Sequence, residues 1–138
     1  FGDPETQPIM MRLQSDIIEL VEAALDGKLN QIRAAFDTRA AVGVVLAAGG
    51  YPGSYDKGDV INGLELGNAN SKVFHAGTKN IDGKVTTNGG RVLCATALGN
   101  TVTEAQQNAY KLAKTISWNG MFYRDDIAYR AIAREQNK

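Results

Sequence analysis

Asn88-Gly89-Gly90-Arg91 is the run in this sequence best suited to hold an anion. Two glycines expose backbone amides, and the adjacent arginine supplies a planar fork of N–H donors that matches phosphate. The same residues read equally as a tight turn with a solvent-facing arginine. They lie within Val73–Gly99, which reads as three short strands joined by two glycine-marked turns. That stretch gathers His75, Thr78, Lys84, Asn88 and Arg91 within reach of one another. A second concentration of polar chemistry opens the chain at Gly2-Asp3-Pro4-Glu5-Thr6-Gln7. Two carboxylates at this spacing can bind a metal, orient an ammonium group or act as a base. The plainer alternative is that Asp3 caps a helix and Glu5 complements its dipole.

The remaining candidates carry less. Gly49-Gly50-Tyr51-Pro52-Gly53 could bring backbone N–H groups to an anion, but it matches neither nucleotide-binding glycine fingerprint. A turn needing positive φ accounts for it. His75 stands mid-strand with no serine or cysteine nucleophile nearby, so it reads as a core or ligand-contacting imidazole. Cys94 alternates with apolar neighbours and reads as buried and inert. One cysteine and one histidine exclude an internal disulfide and a zinc cluster, and no metal ligand is assigned.

These residues need elements to hold them. Asp3, Pro4 and Glu5 suit the start of a helix, with Pro8 delaying it. Ile17, Val21, Ala24 and Leu25 follow the spacing of one buried helical stripe, stopped by Gly27. Leu29, Ile32 and Phe36 suggest a further helical turn or two before Asp37-Thr38. Ala41–Ala47 is a strand buried on both faces. Ser54–Asn70 is a long loop punctuated by Gly58, Gly63 and Gly67, with a short strand at Asp59–Ile61. Lys72–Ala76 is the next strand, Asn80–Lys84 a turn around Asp82-Gly83, and Lys84–Thr87 pairs back. Gly89-Gly90 turns the chain into Arg91–Leu98. Thr101 and Glu104 have capping-box spacing. Val102, Ala105, Ala109, Leu112, Ala113 and Ile116 form the stripe of the helix they open, with Trp118 packing at its end. Met121–Arg124 is a short strand, Asp125–Ala133 a turn and short helix, and residues 135–138 a mobile polar tail. The fold class is α+β: an N-terminal helical arm, then a small antiparallel sheet covered by one helix.

Lys plus Arg equals Asp plus Glu at 15 each, which argues against a nucleic-acid partner. Hydrophobic residues make up 43% and charged residues 22% of the 138, ordinary for a globular domain. No apolar run approaches the ~20 residues of a membrane span, so no membrane partner is expected. The lone cysteine fits a reducing cytosol.

FGDPETQPIM, AAVGVVLAAGGYPGSYDKGDVI, KVFHAGT, TNGGRVLCATALG and the TVTEAQ helix resemble the glycinamide ribonucleotide synthetases, the phosphoribosylamine–glycine ligases of purine synthesis. The resemblance covers essentially the whole chain, as the C-terminal third of such an ATP-grasp enzyme. It implies a reaction joining glycine to 5-phosphoribosylamine, with ATP becoming ADP and phosphate through a glycyl phosphate. ATP and magnesium would be bound in the complete enzyme by residues upstream of this chain. Asp3 becomes a candidate to orient the substrate amine, with Glu5 supporting it or bracing the loop. Arg91, with the Gly89 and Gly90 amides beside it, becomes the candidate for the ribose phosphate, and Asn88, His75 and Thr78 would line the same site.

The resemblance divides the chain at residue 37. Residues 1–37 would end the ATP-grasp module and form a helical linker, and residues 38–138 would be the small C-terminal domain. The chain opens on Phe1 rather than Met, which reads as a fragment or a processed product; the resemblance implies a cytoplasmic enzyme, with no turnover from this part alone. The alternative is a non-catalytic module. Lys84 beside a hairpin turn loosely suggests an acyl carrier, and the Ile17–Leu25 stripe suggests a docking arm.

Overall fold

The computed structural model describes residues 2–64 and 68–137, so Phe1, Gly67 and Lys138 lie outside the described residues. Helices α1 (Thr6–Arg12) and α2 (Ile17–Leu25) and a single 3-10 turn at Leu29–Gln31 precede strand β1 (Ala40–Ala47). Strands β2 (Ser71–His75), β3 (Thr78–Ile81), β4 (Lys84–Thr87) and β5 (Arg91–Gly99) follow. Helices α3 (Val102–Ala113) and α4 (Tyr129–Gln136) complete the α+β fold.

Strand β5 is the centre. It pairs antiparallel with β1 on one side and β2 on the other, while β3 and β4 form a separate two-stranded sheet. Val73–Gly99 therefore holds four strands rather than three. Thr78–Ile81, expected to run into the turn, pairs with Lys84–Thr87 across Asp82-Gly83, both at positive φ. The short strands expected at Asp59–Ile61 and Met121–Arg124 are single bridges, Val60 to Thr86 and Phe122 to Ala47.

The β1–β5 register pairs Val42 with Ala97, Val44 with Ala95 and Leu46 with Leu93. Side chains alternate along a strand, so these six share one face. Ala105, Ala109, Leu112 and Ala113 of α3 cover it, and all ten residues are buried. Alanines on both surfaces let the helix approach closely, and each larger buried side chain contributes about 1.5–3 kcal/mol. Trp118 packs into the same core beyond the helix, as its position suggested.

The opposite face is covered by α1, not left to a single-helix architecture. Gly43 pairs with Thr96 there, next to Cys94 and Pro8. A Cβ on Gly43 would lie 2.9 Å from Cys94 Sγ, 3.3 Å from Thr96 Oγ1 and 3.4 Å from Pro8 Cδ. Glycine is needed here for close approach, not for its backbone freedom. Burial pushes the Cys94 thiol above its ordinary value, with a weak bond to Thr96 opposing.

Three expectations about helices are corrected. Asp3 does not cap α1. The cap position is Glu5, whose side chain makes no capping bond, and Pro8 sits in the first turn, where helix N–H groups lack intrahelical acceptors. The α2 helix forms where its periodicity places it, with the Asp16 carboxylate accepting from Ile18 N–H, but its stripe is not buried. Ile17, Val21 and Leu25 are exposed, Leu25 at 83%, and neighbouring Ile18 is 64% exposed. Of the tail expected at 135–138, the described part is not a free end either. Glu135 and Gln136 belong to α4, and Glu135 Oε1 and Oε2 accept from the N–H groups of Val102 and Thr103. Thr101 caps α3 as its spacing predicted, accepting from Glu104 N–H, while Glu104 accepts from Asn100 rather than from Thr101.

Where α1 and β1 meet, Asp37 is the joint. Arg39 forks onto its carboxylate (Nε–Oδ1 3.0 Å, Nη2–Oδ2 2.6 Å), and Arg12 donates to its backbone carbonyl at 3.0 and 2.8 Å. Arg39 also reaches Asn70 Oδ1 at 2.8 Å.

Two outcomes are expected. Gly43→Val should lower the urea unfolding free energy by about 1–3 kcal/mol, the usual cost of overpacking a filled site. The second concerns acid. The side-chain and backbone hydrogen bonds from Arg39 lower the Asp37 carboxyl to about 2 from an ordinary 3.8. The unfolded state then takes up a proton before the folded state does, so this contribution is full above about pH 4 and lost as pH falls toward 2. Acid titrations followed by circular dichroism should show Asp37→Asn losing less stability than wild type across that window.

Candidate functional site

The site is built on an irregularity in β5. Leu46 of β1 pairs with Leu93, but Ala47 pairs with Arg91, so Val92 has no partner on β1. An extra residue of this kind shifts the side-chain alternation by one position and re-aims what lies beyond it. Val92 joins Leu93 in the core under α3. Arg91 is thereby delivered to the α1 side, where Asp3 waits.

Arg91 Nε lies 3.2 Å from Asp3 Oδ2, and Nη1 donates to the Asp3 backbone carbonyl at 3.3 Å. The two side chains are 42% and 38% exposed, so the pair remains open to solvent. Gln7 Nε2 donates to the other Asp3 oxygen at 3.4 Å, and Gln7 Oε1 is buried without a partner among the described residues. Residues expected at separate tasks, 88 positions apart, are in direct contact. Arg91 Nη2 has no hydrogen-bond acceptor among the described residues, which leaves an N–H pair of the fork for a ligand.

The turn before Arg91 is held by backbone contact. Gly77 N–H donates to the Arg91 carbonyl at 3.0 Å, and Asn88 N–H donates to the Gly77 carbonyl at 2.7 Å. A Cβ on Gly77 would come within 2.7 Å of Gly89 Cα. His75 and Thr78 flank that corner and bond to each other, Nδ1 to Oγ1 at 3.0 Å. Asn88 is exposed, Gly89 half-buried and Gly90 buried.

Two expected members stand apart. Lys84 begins β4, at the opposite end of that strand from Asn88, about 3.3 Å per residue away along it. Glu5 lies over Gly2 and joins no salt bridge among the described residues. No group of three or more His, Cys, Asp or Glu that could hold a metal ion is found among the described residues. The sequence reading also passed over Gln7, Gly77 and Tyr51, which touch Asp3, Gly89 and Gly90. Gln7 belongs to a motif already singled out, and Gly77 and Tyr51 to glycine-marked turns whose contacts are set only by tertiary structure.

The framework is an antiparallel sheet held between two helices, with a glycine-rich turn presenting an arginine at its end. The chain belongs to the family described as phosphoribosylglycinamide synthetase, C domain, whose model matches residues 41–130. It is 67% identical to the phosphoribosylamine–glycine ligase of Vibrio parahaemolyticus and 69% identical to that of Vibrio cholerae. Each match covers 100% of this chain and 32% of the relative, so the chain spans about a third of their length. The crystal structure of phosphoribosylamine–glycine ligase from Thermotoga maritima superposes with a TM-score of 0.74 at 39% identity, over 91% of this chain and 31% of that one.

An exposed ion pair contributes little to folding. Asp3→Asn is therefore expected to change the unfolding free energy by less than about 1 kcal/mol, measured by urea titration.

Proposed function

We propose that this chain is the C-terminal part of a phosphoribosylamine–glycine ligase and supplies the ribose-phosphate side of its site. The observation that carries the reading is the Asp3–Arg91 contact at the end of β5, in a chain 67% identical to a ligase of that name. In the reaction, the carboxyl of glycine is activated as an acyl phosphate by ATP, and the amine of 5-phosphoribosylamine attacks it. By resemblance to the family, ATP and magnesium are assigned to the part of the ligase outside this chain.

The roles follow from chemistry. A phosphate monoester carries close to two negative charges and accepts paired N–H donors from a guanidinium. Arg91 takes the phosphate through the N–H groups that Asp3 does not use, and the Gly89 and Gly90 amides add donors beside it. Asn88, His75 and Thr78 line the approach. Asp3 accepts a hydrogen bond from the substrate amine, which leaves the nitrogen lone pair for the acyl carbon. Glu5 braces the loop that carries Asp3.

Residues 1–37 are assigned to the end of the ATP-grasp module and its linker, and residues 38–138 to the small domain. The exposed apolar side of α2 supports a neighbour there. No helix among the described residues is long and apolar enough to cross a membrane, and the proposed setting is the cytoplasm. Lys84 follows the Asp82-Gly83 turn instead of occupying its tip, which disfavours a carrier role.

In the intact ligase, Arg91→Ala should raise KM for phosphoribosylamine about ten- to a hundredfold, the scale of a lost charged hydrogen-bond pair. KM for ATP should stay within about twofold. An unchanged KM for phosphoribosylamine would remove Arg91 from the site.

A further inference from the structure

Tyr51 has no role in the reading above, yet its ring occupies the space where a Gly90 side chain would stand. A Cβ on Gly90 would overlap Tyr51 Cδ2, lie 2.8 Å from Tyr51 Cε2 and 3.0 Å from Tyr55 Cε1. Gly90 is not among the glycines at positive φ, so the ring rather than backbone geometry requires glycine here. The two tyrosine rings brace each other, with centroids 6.4 Å apart and planes at 57°.

The backbone completes the clamp. Ala48 N–H donates to the Gly90 carbonyl at 2.9 Å, and Ala48 accepts from Tyr51 N–H at 3.1 Å. One residue of the β1 exit thus fixes both the turn and the loop that carries the ring. Within that loop Gly53 N–H donates to the Gly50 carbonyl at 2.8 Å, and Gly50 sits at φ +93° against Ser54. Gly49 in turn packs on the Gly120 backbone, 2.8 Å from its carbonyl oxygen for an added Cβ. The Gly89–Gly90 turn is therefore gripped by Gly77 on one side and by Tyr51 on the other, one residue before Arg91.

We propose that Tyr51 is a positioning residue for phosphate capture. Its ring holds Gly90, and through it the Gly89–Arg91 donors, in the conformation a phosphate monoester requires. The proposal rests on the reading of Arg91 as the ribose-phosphate ligand. A turn held before the ligand arrives does not have to be ordered by it, so loss of the ring appears as weaker binding of that ligand alone. The ring is what acts, and the hydroxyl is dispensable.

The test is steady-state kinetics of the intact ligase, with KM for phosphoribosylamine, ATP and glycine measured for Tyr51→Leu, Tyr51→Phe and Arg91→Ala side by side. Tyr51→Leu should raise KM for phosphoribosylamine tenfold or more and leave the other two within twofold, and Tyr51→Phe should restore it to within twofold of wild type. Tyr51→Met carries the same expectation should Tyr51→Leu fail to fold. An unchanged KM in Tyr51→Leu beside a raised one in Arg91→Ala overturns the proposal and leaves the Arg91 reading standing. An unchanged KM in Arg91→Ala overturns both. Equal increases in all three constants make Tyr51 a general structural prop, and a Tyr51→Phe as impaired as Tyr51→Leu assigns the effect to the hydroxyl. Either result rejects positioning by the ring.

Discussion

A single unpaired residue, Val92, decides what the end of this sheet presents. With strict pairing through Leu46 and Leu93, Arg91 would share the face of Leu93 and Ala95, under α3. The skipped position sends Val92 into the core and Arg91 to the other side. The exchange suits both residues: an aliphatic group gains burial, and a guanidinium avoids an apolar interior where it would need a buried counter-charge. The contact of the Arg91 side chain with Asp3 is a consequence of that one displaced alternation.

Much of the scaffold was legible from periodicity. The α3 stripe, its Thr101 cap and the β1 and β5 runs are long, regular and buried, and pattern reading is strongest for such segments. Strand β3 escaped because Thr78–Ile81 is short, mostly exposed and next to a strong turn signal, so nothing in its composition separates it from the loop. The α2 stripe was read correctly as helix and wrongly as buried. A stripe reports that a helix has an apolar side, not that the described residues cover it. Glu135 looked like part of a polar tail because a distant helix start leaves no local mark on its partner.

The site was legible in its parts and not in its assembly. Asn88–Arg91 and Asp3 were both singled out by residue type, each for its own chemistry. Their meeting depends on a register shift that changes no residue and on α1 lying across β1 and β5, which Gly43 permits. Lys84 was grouped with them by sequence proximity, and strand extension carries it away. Gly89-Gly90 was read as a turn, but what requires glycine at Gly90 is the Tyr51 ring, as the Gly89 and Arg91 backbone requires it at Gly77 and the Cys94, Thr96 and Pro8 side chains at Gly43.

Helix α1 is tied down at both ends. Arg12 at its last turn bonds the Asp37 carbonyl, and Asp3 just ahead of it bonds Arg91. Seven helical residues span only about 10 Å, with Pro8 set on the sheet between the anchors. Such a strut cannot swing about one end without breaking the other. The carboxylate and the guanidinium therefore keep a common frame of reference. Any rigid movement of α1 together with the sheet it packs on carries both along, so their spacing does not depend on how that unit is posed.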